Sequence, residues 1–200
     1  MKKVLMIAAM MIATLSANAQ NELGQITLKP MAGINLATMT KTDDSKMRVG
    51  LAAGVEAEYG LAEDLGVSAG VLYSMQGVKG TTNIAGVKID QTYKLDYINI
   101  PILANYYIVK GLAIKAGIQP AFKVTSKAKF EGSYSGSKMS EEENIDGTKG
   151  FYLSVPFGLS YEISNVVIDA RYNLGVTKAI KDVDSKHSWF TFTLGYKFAL

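Results

Sequence analysis

The feature that most constrains the fold of this chain is an alternation of apolar and polar residues with a period of two. In the last segment Phe190, Phe192 and Leu194 alternate with Thr191 and Thr193. Successive side chains of a β-strand lie on opposite faces, whereas a helix repeats its apolar residues every three to four positions. The segment is therefore predicted to be a strand with one apolar face and one face for water or a polar interior.

The same alternation recurs along the chain, and it predicts eight strands. They lie at 26–36, 51–59, 67–76, 93–108, 112–124, 151–163, 166–177 and 190–198. Tight connections follow the second, fourth and sixth strands, at 61–64, 109–111 and 164–165. Longer polar connections follow the others, at 38–48, 77–90, 125–149 and 179–186. Short turns on one rim and long loops on the other are typical of bacterial outer-membrane barrels, whose short turns are periplasmic.

No apolar stretch after residue 19 approaches the roughly 20 residues that a membrane-spanning helix needs. Only helices and closed barrels satisfy all backbone polar groups in hydrocarbon. The prediction is an all-β fold, an eight-stranded antiparallel up-and-down transmembrane β-barrel over residues 20–200. It places the protein in the bacterial outer membrane with both termini periplasmic. The alternative is a soluble, lipocalin-like barrel whose apolar faces point inward.

Residues 1–19 have the features of a cleaved secretory signal peptide. Lys2 and Lys3 precede an apolar run at 4–15, and Ala17-Asn18-Ala19 is a small-x-small cleavage pattern. Removal of the two lysines lowers the formal charge from +3 to +1, since 3 − 2 = 1. The mature chain therefore has no basic excess that would indicate a nucleic-acid partner.

All four prolines fall inside predicted strands, at Pro30, Pro101, Pro120 and Pro156. Each proline removes a backbone donor that a closed barrel has no free edge to hide. Bulges or strand ends are therefore expected at these positions.

Three segments carry a family resemblance, at 33–36 (GINL), 70–77 (GVLYSMQG) and 96–103 (DYINIPIL). Together they resemble the PorT-like outer-membrane β-barrel family of Bacteroidota. The resemblance implies an eight-stranded barrel related in architecture to OmpA-type and OmpX-type barrels. It implies no activity, because most members of the family have none assigned, and the founding member's link to protein secretion is not carried over.

The inward phase of the predicted strands carries nearly balanced charges, which are expected to form an ion-pair network in the lumen. An eight-stranded barrel has an interior just wide enough to be filled by side chains. The network is predicted to comprise Lys29, Glu56, Glu58, Lys115, Glu162, Asp169, Arg171 and Lys197. A proton or small-ion path, or a ligand site, is the alternative use of the same residues.

The remaining polar residues point to no catalysis, metal or cofactor. His187 is the single histidine and the chain has no cysteine, so a transition-metal site has too few ligands, and no Ser-His-Asp arrangement is readable around His187. The acidic run Glu141, Glu142, Glu143 and Asp146 is interpreted as a solvated surface loop. A site for a divalent cation there is the alternative.

The leading functional hypothesis is a structural or interaction module whose loops at 77–90 and 125–149 meet an unknown protein partner. The rival is a narrow transport or ligand-binding barrel. Expected partners are outer-membrane lipid, lipopolysaccharide and, during insertion, the barrel-assembly machinery. Lys127 and Lys129 are candidates for contact with lipopolysaccharide phosphates.

Overall fold

The strands of this chain close into an antiparallel barrel in a computed structural model. The structure describes residues 23–39, 46–84, 87–134, 137–144, 150–177 and 187–200, so the predicted signal peptide lies outside it. The strands are β1 (Ile26–Met39), β2 (Lys46–Gly60), β3 (Leu65–Ile84), β4 (Val87–Asn99), β5 (Ile102–Val109), β6 (Leu112–Tyr134), β7 (Ser137–Asn144), β8 (Phe151–Ile163), β9 (Val166–Gly175), β10 (His187–Tyr196) and β11 (Phe198–Ala199).

Ten of these eleven stretches make a closed wall of eight strands, which confirms the predicted fold class. β4 and β5 keep one register against both β3 and β6, so they form a single wall strand. β10 and β11 likewise form one wall strand, because both pair with β1 in the same register. The pairing of β1 with β10, from Met31 opposite Gly195 to Met39 opposite His187, closes the barrel.

The two faces of the wall have the polarity that the alternation predicts. On the outer face the side chains of Ile168 and Leu194 are 53 and 59 % exposed. On the inner face of β9, Asp169 and Arg171 are 1 and 3 % exposed. Outward aromatic side chains such as Tyr59 lie toward strand ends, where amphipathic rings match the level of lipid headgroups. In the described ranges no helix is long and apolar enough to cross a membrane.

The prolines differ from the expectation at three of four positions. The strand is interrupted at Pro101, as expected, between β4 and β5. Pro30 lies within β1 opposite Val55, Pro120 within β6 opposite Leu153, and Pro156 within β8, all without a register shift. A proline carbonyl still accepts a hydrogen bond, and the one from Ile100 N to Pro120 O (2.8 Å) keeps the ladder in register there.

The prediction of long loops at 77–90 and 125–149 is wrong for most of their length. β3 continues to Ile84 and pairs with β4 from Val87 onward, and β6 continues to Tyr134 and pairs with β7. These two extended hairpins reach beyond the part of the wall whose outer face is apolar. Residues 145–149 lie outside the described part of the chain.

Candidate functional site

The centre of the lumen is occupied by a cluster of five ionised side chains, here called the central cluster. Glu56 of β2 is its hub. The Oε1 atom of Glu56 lies 2.7 Å from Lys29 Nζ and 3.3 Å from Lys115 Nζ, and Oε2 lies 2.7 Å from Arg171 Nη2. β2, β6 and β9 are not neighbours in the wall. The contacts of Glu56 with Lys115 and Arg171 therefore cross the lumen, whereas its contact with Lys29 joins the neighbouring strands β1 and β2.

Asp169 is the second carboxylate of the central cluster. Its Oδ1 accepts from Arg171 Nε at 2.6 Å and its Oδ2 from Arg171 Nη2 at 2.8 Å, which is the two-point geometry that a guanidinium forms with a carboxylate. Lys115 Nζ lies 3.0 Å and Lys29 Nζ 3.8 Å from Asp169 Oδ2. Every cation of the central cluster therefore contacts both carboxylates.

The central cluster is almost completely withdrawn from solvent. Its members are between 1 and 4 % exposed. Ionised groups lose several kcal/mol of hydration each on burial, and mutual contacts offset this only where geometry and hydrogen bonding are good. Three cations and two carboxylates leave a formal charge of +1 (3 − 2), so the loss of either carboxylate would leave three buried cations with a single anionic partner.

A second ion cluster, here called the mouth cluster, lies toward the short-turn rim. Lys197 Nζ is 2.7 Å from Glu162 Oε2 and 4.0 Å from Glu58 Oε2. Tyr107 OH donates to Glu58 Oε1 at 2.6 Å and accepts from Lys197 Nζ at 3.1 Å. The lysine ammonium also lies 5.5 Å from the centre of the Tyr107 ring.

All eight predicted lumen residues are buried, but they divide into these two clusters. Lys29, Glu56, Lys115, Asp169 and Arg171 make one, and Glu58, Glu162 and Lys197 make the other. Tyr107 was missed. The alternation does indicate that Tyr107 faces the lumen, because position 107 is in phase with the inward Asn99 and Asn105. Its aromatic side chain, however, is typical of a lipid-facing position.

Above the central cluster, toward the long hairpins, uncharged polar side chains connect the strands. Asn35 Nδ2 donates to Ser74 Oγ at 2.8 Å, and Thr191 Oγ1 donates to Asn35 Oδ1 at 2.8 Å. Asn173 Nδ2 donates to Thr191 Oγ1 at 3.1 Å and Gln119 Nε2 to Asn173 Oδ1 at 3.3 Å. The amides thus link β6 to β3 by way of β9, β10 and β1.

An aromatic cluster caps this amide layer. Tyr152 packs edge-on against Tyr97 and Trp189, with ring centres 4.7 and 5.8 Å apart. Tyr152 OH donates to Gln76 Oε1 of the opposite wall at 2.9 Å. With Leu95, these rings form a buried apolar group inside the barrel. Charge, amide and aromatic layers therefore follow one another along the lumen.

The other candidate residues are less constrained. His187 begins β10, but its side chain lies outside what the structure describes, as does Asp146. Glu141, Glu142 and Glu143 lie in β7 rather than in a loop. The described residues include no group of three or more His, Asp or Glu side chains placed to hold a metal ion. Lys127 and Lys129 are partly exposed in the extended part of β6.

Comparison with known families gives one match. Residues 18–181 match the model described as the outer membrane protein beta-barrel domain. No curated protein matches the sequence.

Several solved structures are similar to this chain. The attachment invasion locus protein Ail of Yersinia pestis is 17 % identical, covers 88 % of this chain and 100 % of its own, and has a TM-score of 0.49. Neisserial surface protein A is 15 % identical, with coverages of 86 and 97 % and a TM-score of 0.47. The N-terminal barrel domain of Pseudomonas aeruginosa OprF is 10 % identical, with coverages of 88 and 98 % and a TM-score of 0.40.

Proposed function

Because the chain belongs to the outer membrane protein beta-barrel domain family, we propose that it is a closed outer-membrane anchor that presents two long hairpins at the cell surface. The observation that carries this proposal is the central cluster. Five charged side chains contact one another across the lumen at the level where a transported solute would have to pass. A general diffusion pore needs a water-filled path at that level, which the larger barrels possess.

Because the lumen is filled, the two hairpins are the proposed surface for binding a partner. β3 and β4 stay paired from Gly77 opposite Lys94 to Ile84 opposite Val87, and β6 and β7 pair over 127–134 and 137–144. β4 also pairs with β6 through this region, so the two hairpins form one continuous sheet. A paired sheet loses less conformational entropy on binding a partner than a loop of the same length.

The proposed orientation places the short-turn rim and both termini in the periplasm and the hairpins outside the cell. Outer-membrane barrels insert with short turns on the periplasmic side. The barrel-assembly machinery is the expected partner during insertion. Outer-membrane lipid surrounds the wall.

The finer identity is proposed to be that of a PorT-like barrel of Bacteroidota, with a cleaved signal peptide at 1–19. The function requires neither catalysis nor a cofactor, and it involves no nucleic acid. The partner of the hairpins is proposed to be a surface macromolecule.

Site-directed labelling tests the orientation, because the chain has no cysteine of its own. Ser133→Cys places a thiol at the hairpin end of β6, and Glu63→Cys places one in the exposed short turn after β2. A membrane-impermeant maleimide should label Ser133→Cys on intact cells and Glu63→Cys only after the outer membrane is permeabilised. The reverse pattern would overturn the proposed orientation.

Planar-bilayer recording tests the closed lumen. The purified protein should insert without discrete conductance steps, while a porin reconstituted in the same lipid serves as the positive control. Insertion is confirmed by the mobility difference between boiled and unboiled samples on a gel. Reproducible conductance steps from the heat-modifiable protein would favour the transport alternative and contradict the anchor.

A further inference from the structure

A cavity opens at the short-turn rim of the barrel, where the turn after β2 meets the turn after β5. Its volume is about 210 Å³, and its charged and aromatic lining residues are Glu63, Asp64, Tyr107 and Lys110. Tyr107 N donates to Asp64 O at 2.7 Å, which joins the two turns. Glu63 and Asp64 are exposed, whereas Tyr107 is only partly exposed. The cavity therefore has carboxylates at its outer edge and a tyrosine on its inner side.

Tyr107 connects this cavity to the mouth cluster. Its hydroxyl donates to Glu58 Oε1 at 2.6 Å and accepts from Lys197 Nζ at 3.1 Å. With Glu162, the mouth cluster has two carboxylates and one lysine, a formal charge of −1 (1 − 2). The compensating positive charge belongs to the central cluster, which lies deeper in the lumen. A cation that approaches from the short-turn rim therefore meets the negative cluster first.

Two buried oxygen atoms beside Glu58 have no hydrogen-bond partner in the described structure. They are Thr27 Oγ1 and Asn105 Oδ1, in residues that are 3 and 0 % exposed. Thr27 is directly opposite Glu58 in the pairing of β1 with β2. Asn105 is opposite Gly66, and the Glu58 carboxylate lies over Gly66, where an added Cβ would be 2.5 Å from Glu58 Oε1. Buried polar atoms are nearly always paired, so these oxygens indicate a donor from outside the chain.

A primary ammonium group has the chemistry that these acceptors require. It carries three N–H donors and no acceptor, so one group can donate to a carboxylate and to an amide oxygen together. Hydrogen bonds between charged partners are about twice as strong as neutral ones. The acidic residues of the mouth and the rim also favour a positive charge there over a neutral donor.

The acceptors lie at two levels. The hydrogen bond from Tyr107 to Asp64 places the rim carboxylates level with position 107, and Asn105 is two residues farther into the barrel. Two residues of a strand span about 7 Å. The nitrogens of 1,5-diaminopentane are separated by six single bonds, as many as two residues of extended backbone contain, which is also about 7 Å. The spacing therefore suits a short diamine.

We propose that the short-turn mouth of this barrel is a binding site for small aliphatic diamines. One ammonium group donates to Glu58 and Asn105 inside the mouth, and the other lies between the carboxylates of Glu63 and Asp64 in the cavity. The site goes beyond the anchor function and requires no passage past the central cluster. Supply of the diamine from the periplasm rests on the proposed orientation of the barrel, but the binding itself does not.

The test measures binding of 1,5-diaminopentane to the full mature chain in nanodiscs of neutral phosphatidylcholine, by titration calorimetry. Asn105→Leu removes the buried acceptor, and Asn99→Leu, on the same wall strand six residues farther from the rim, is its matched control. Asp64→Asn removes one exposed carboxylate from the cavity, and Glu143→Gln removes one from β7 at the other end of the barrel. All variants are first checked for folding by heat-modifiable gel mobility.

Asn105→Leu and Asp64→Asn should each weaken diamine binding about tenfold, because each loses a hydrogen bond to a charged group. Both control variants should bind like the unmodified chain, and pentylamine, which has one ammonium group, should bind about tenfold more weakly than the diamine. Asp64 lies on an exposed turn, so its variant tests the site even if Asn105→Leu does not fold.

Equal weakening in the test and control variants would mean a general effect and would overturn the site. Displacement of the diamine by an equimolar concentration of tetramethylammonium would also overturn it, because that cation has no N–H donor.

The diamine site and the anchor function can fail separately. If the unmodified chain releases no heat with the diamine and shows no conductance steps, the site fails and the closed anchor stands. If the diamine binds with the expected pattern of variants but the heat-modifiable protein conducts, the closed anchor fails and the site stands. A nanodisc has no inside or outside with respect to a cell, so the calorimetry is independent of orientation.

Discussion

The central cluster and the mouth cluster are built from the same residue types but differ in how they are connected. In the central cluster each of three cations contacts both Glu56 and Asp169, within 2.6 to 3.8 Å. In the mouth cluster Lys197 Nζ lies 2.7 Å from Glu162 Oε2 and 4.0 Å from Glu58 Oε2. A tyrosine hydroxyl completes the mouth cluster.

This difference shows how a narrow barrel can bury charge in two ways. The central cluster depends on mutual neutralisation, because removal of one carboxylate leaves three cations with a single partner. The mouth cluster is close to the short-turn rim, and its tyrosine satisfies the carboxylate that the lysine does not reach closely. The two clusters have opposite formal charges, +1 (3 − 2) and −1 (1 − 2), so the charges of these eight residues cancel.

The largest effect is expected for Glu56→Gln. Loss of this charge leaves buried cations without their hub, which should lower the free energy of unfolding by about 3–5 kcal/mol. Urea unfolding in lipid vesicles, followed by the fluorescence of Trp189, the single tryptophan, measures it. Glu63→Gln, on the exposed turn, is the control and should leave the midpoint unchanged. If Glu56→Gln shifts the urea midpoint no more than Glu63→Gln does, the central cluster does not stabilise the barrel.

A smaller decrease in the free energy of unfolding is expected for Lys197→Met. This substitution removes the cation of the mouth cluster but keeps most of the side-chain volume. The lost charged hydrogen bond to Glu162 should cost about 1.5–3 kcal/mol in the same unfolding measurement. Lys110→Met in the exposed turn after β5 is the matched control. A loss equal to that of Glu56→Gln would contradict the difference in connectivity between the clusters.

Tyr107→Phe should have a still smaller effect, of about 1 kcal/mol. It removes the hydroxyl that donates to Glu58 and accepts from Lys197, while the ring remains beneath the ammonium. The neighbouring Tyr106→Phe, whose side chain is half-exposed on the outer wall, controls for a general effect of removing a tyrosine hydroxyl. If both variants unfold at the same urea concentration, Tyr107 is not part of the ion cluster energetically.

The smallest expected effect is the coupling free energy between the central cluster and the mouth cluster. In a double-mutant cycle, Glu56→Gln and Lys197→Met should couple by less than about 0.5 kcal/mol, as separate networks do. Glu56→Gln combined with Arg171→Met, within one cluster, should show coupling of about 0.5–3 kcal/mol. Strong coupling in the first cycle would mean that all eight lumen residues form one network, as the sequence suggested.

The errors in the sequence prediction follow from the limits of alternation as a signal. Inside the membrane the outer face must be apolar, so the alternation alone predicts strands such as the one at 151–163. Above the membrane this requirement ends, and Lys127 and Lys129 occupy the face that Phe122 occupies below. A register shift between β4 and β6 at Asp96 and Tyr97 also changes the phase within β6. The alternation therefore predicts loops where the structure has hairpins.

The sequence by itself determined which residues face the lumen, because the two-residue period is a local property of each strand. It placed Glu56, Asp169 and Arg171 inside without reference to any other strand. The tertiary structure decided which of them meet, since Glu56 and Arg171 are 115 residues apart and come together only when β1 pairs with β10. The stagger of the strands at closure sets the height of every inward side chain. That height divides the charges into two clusters.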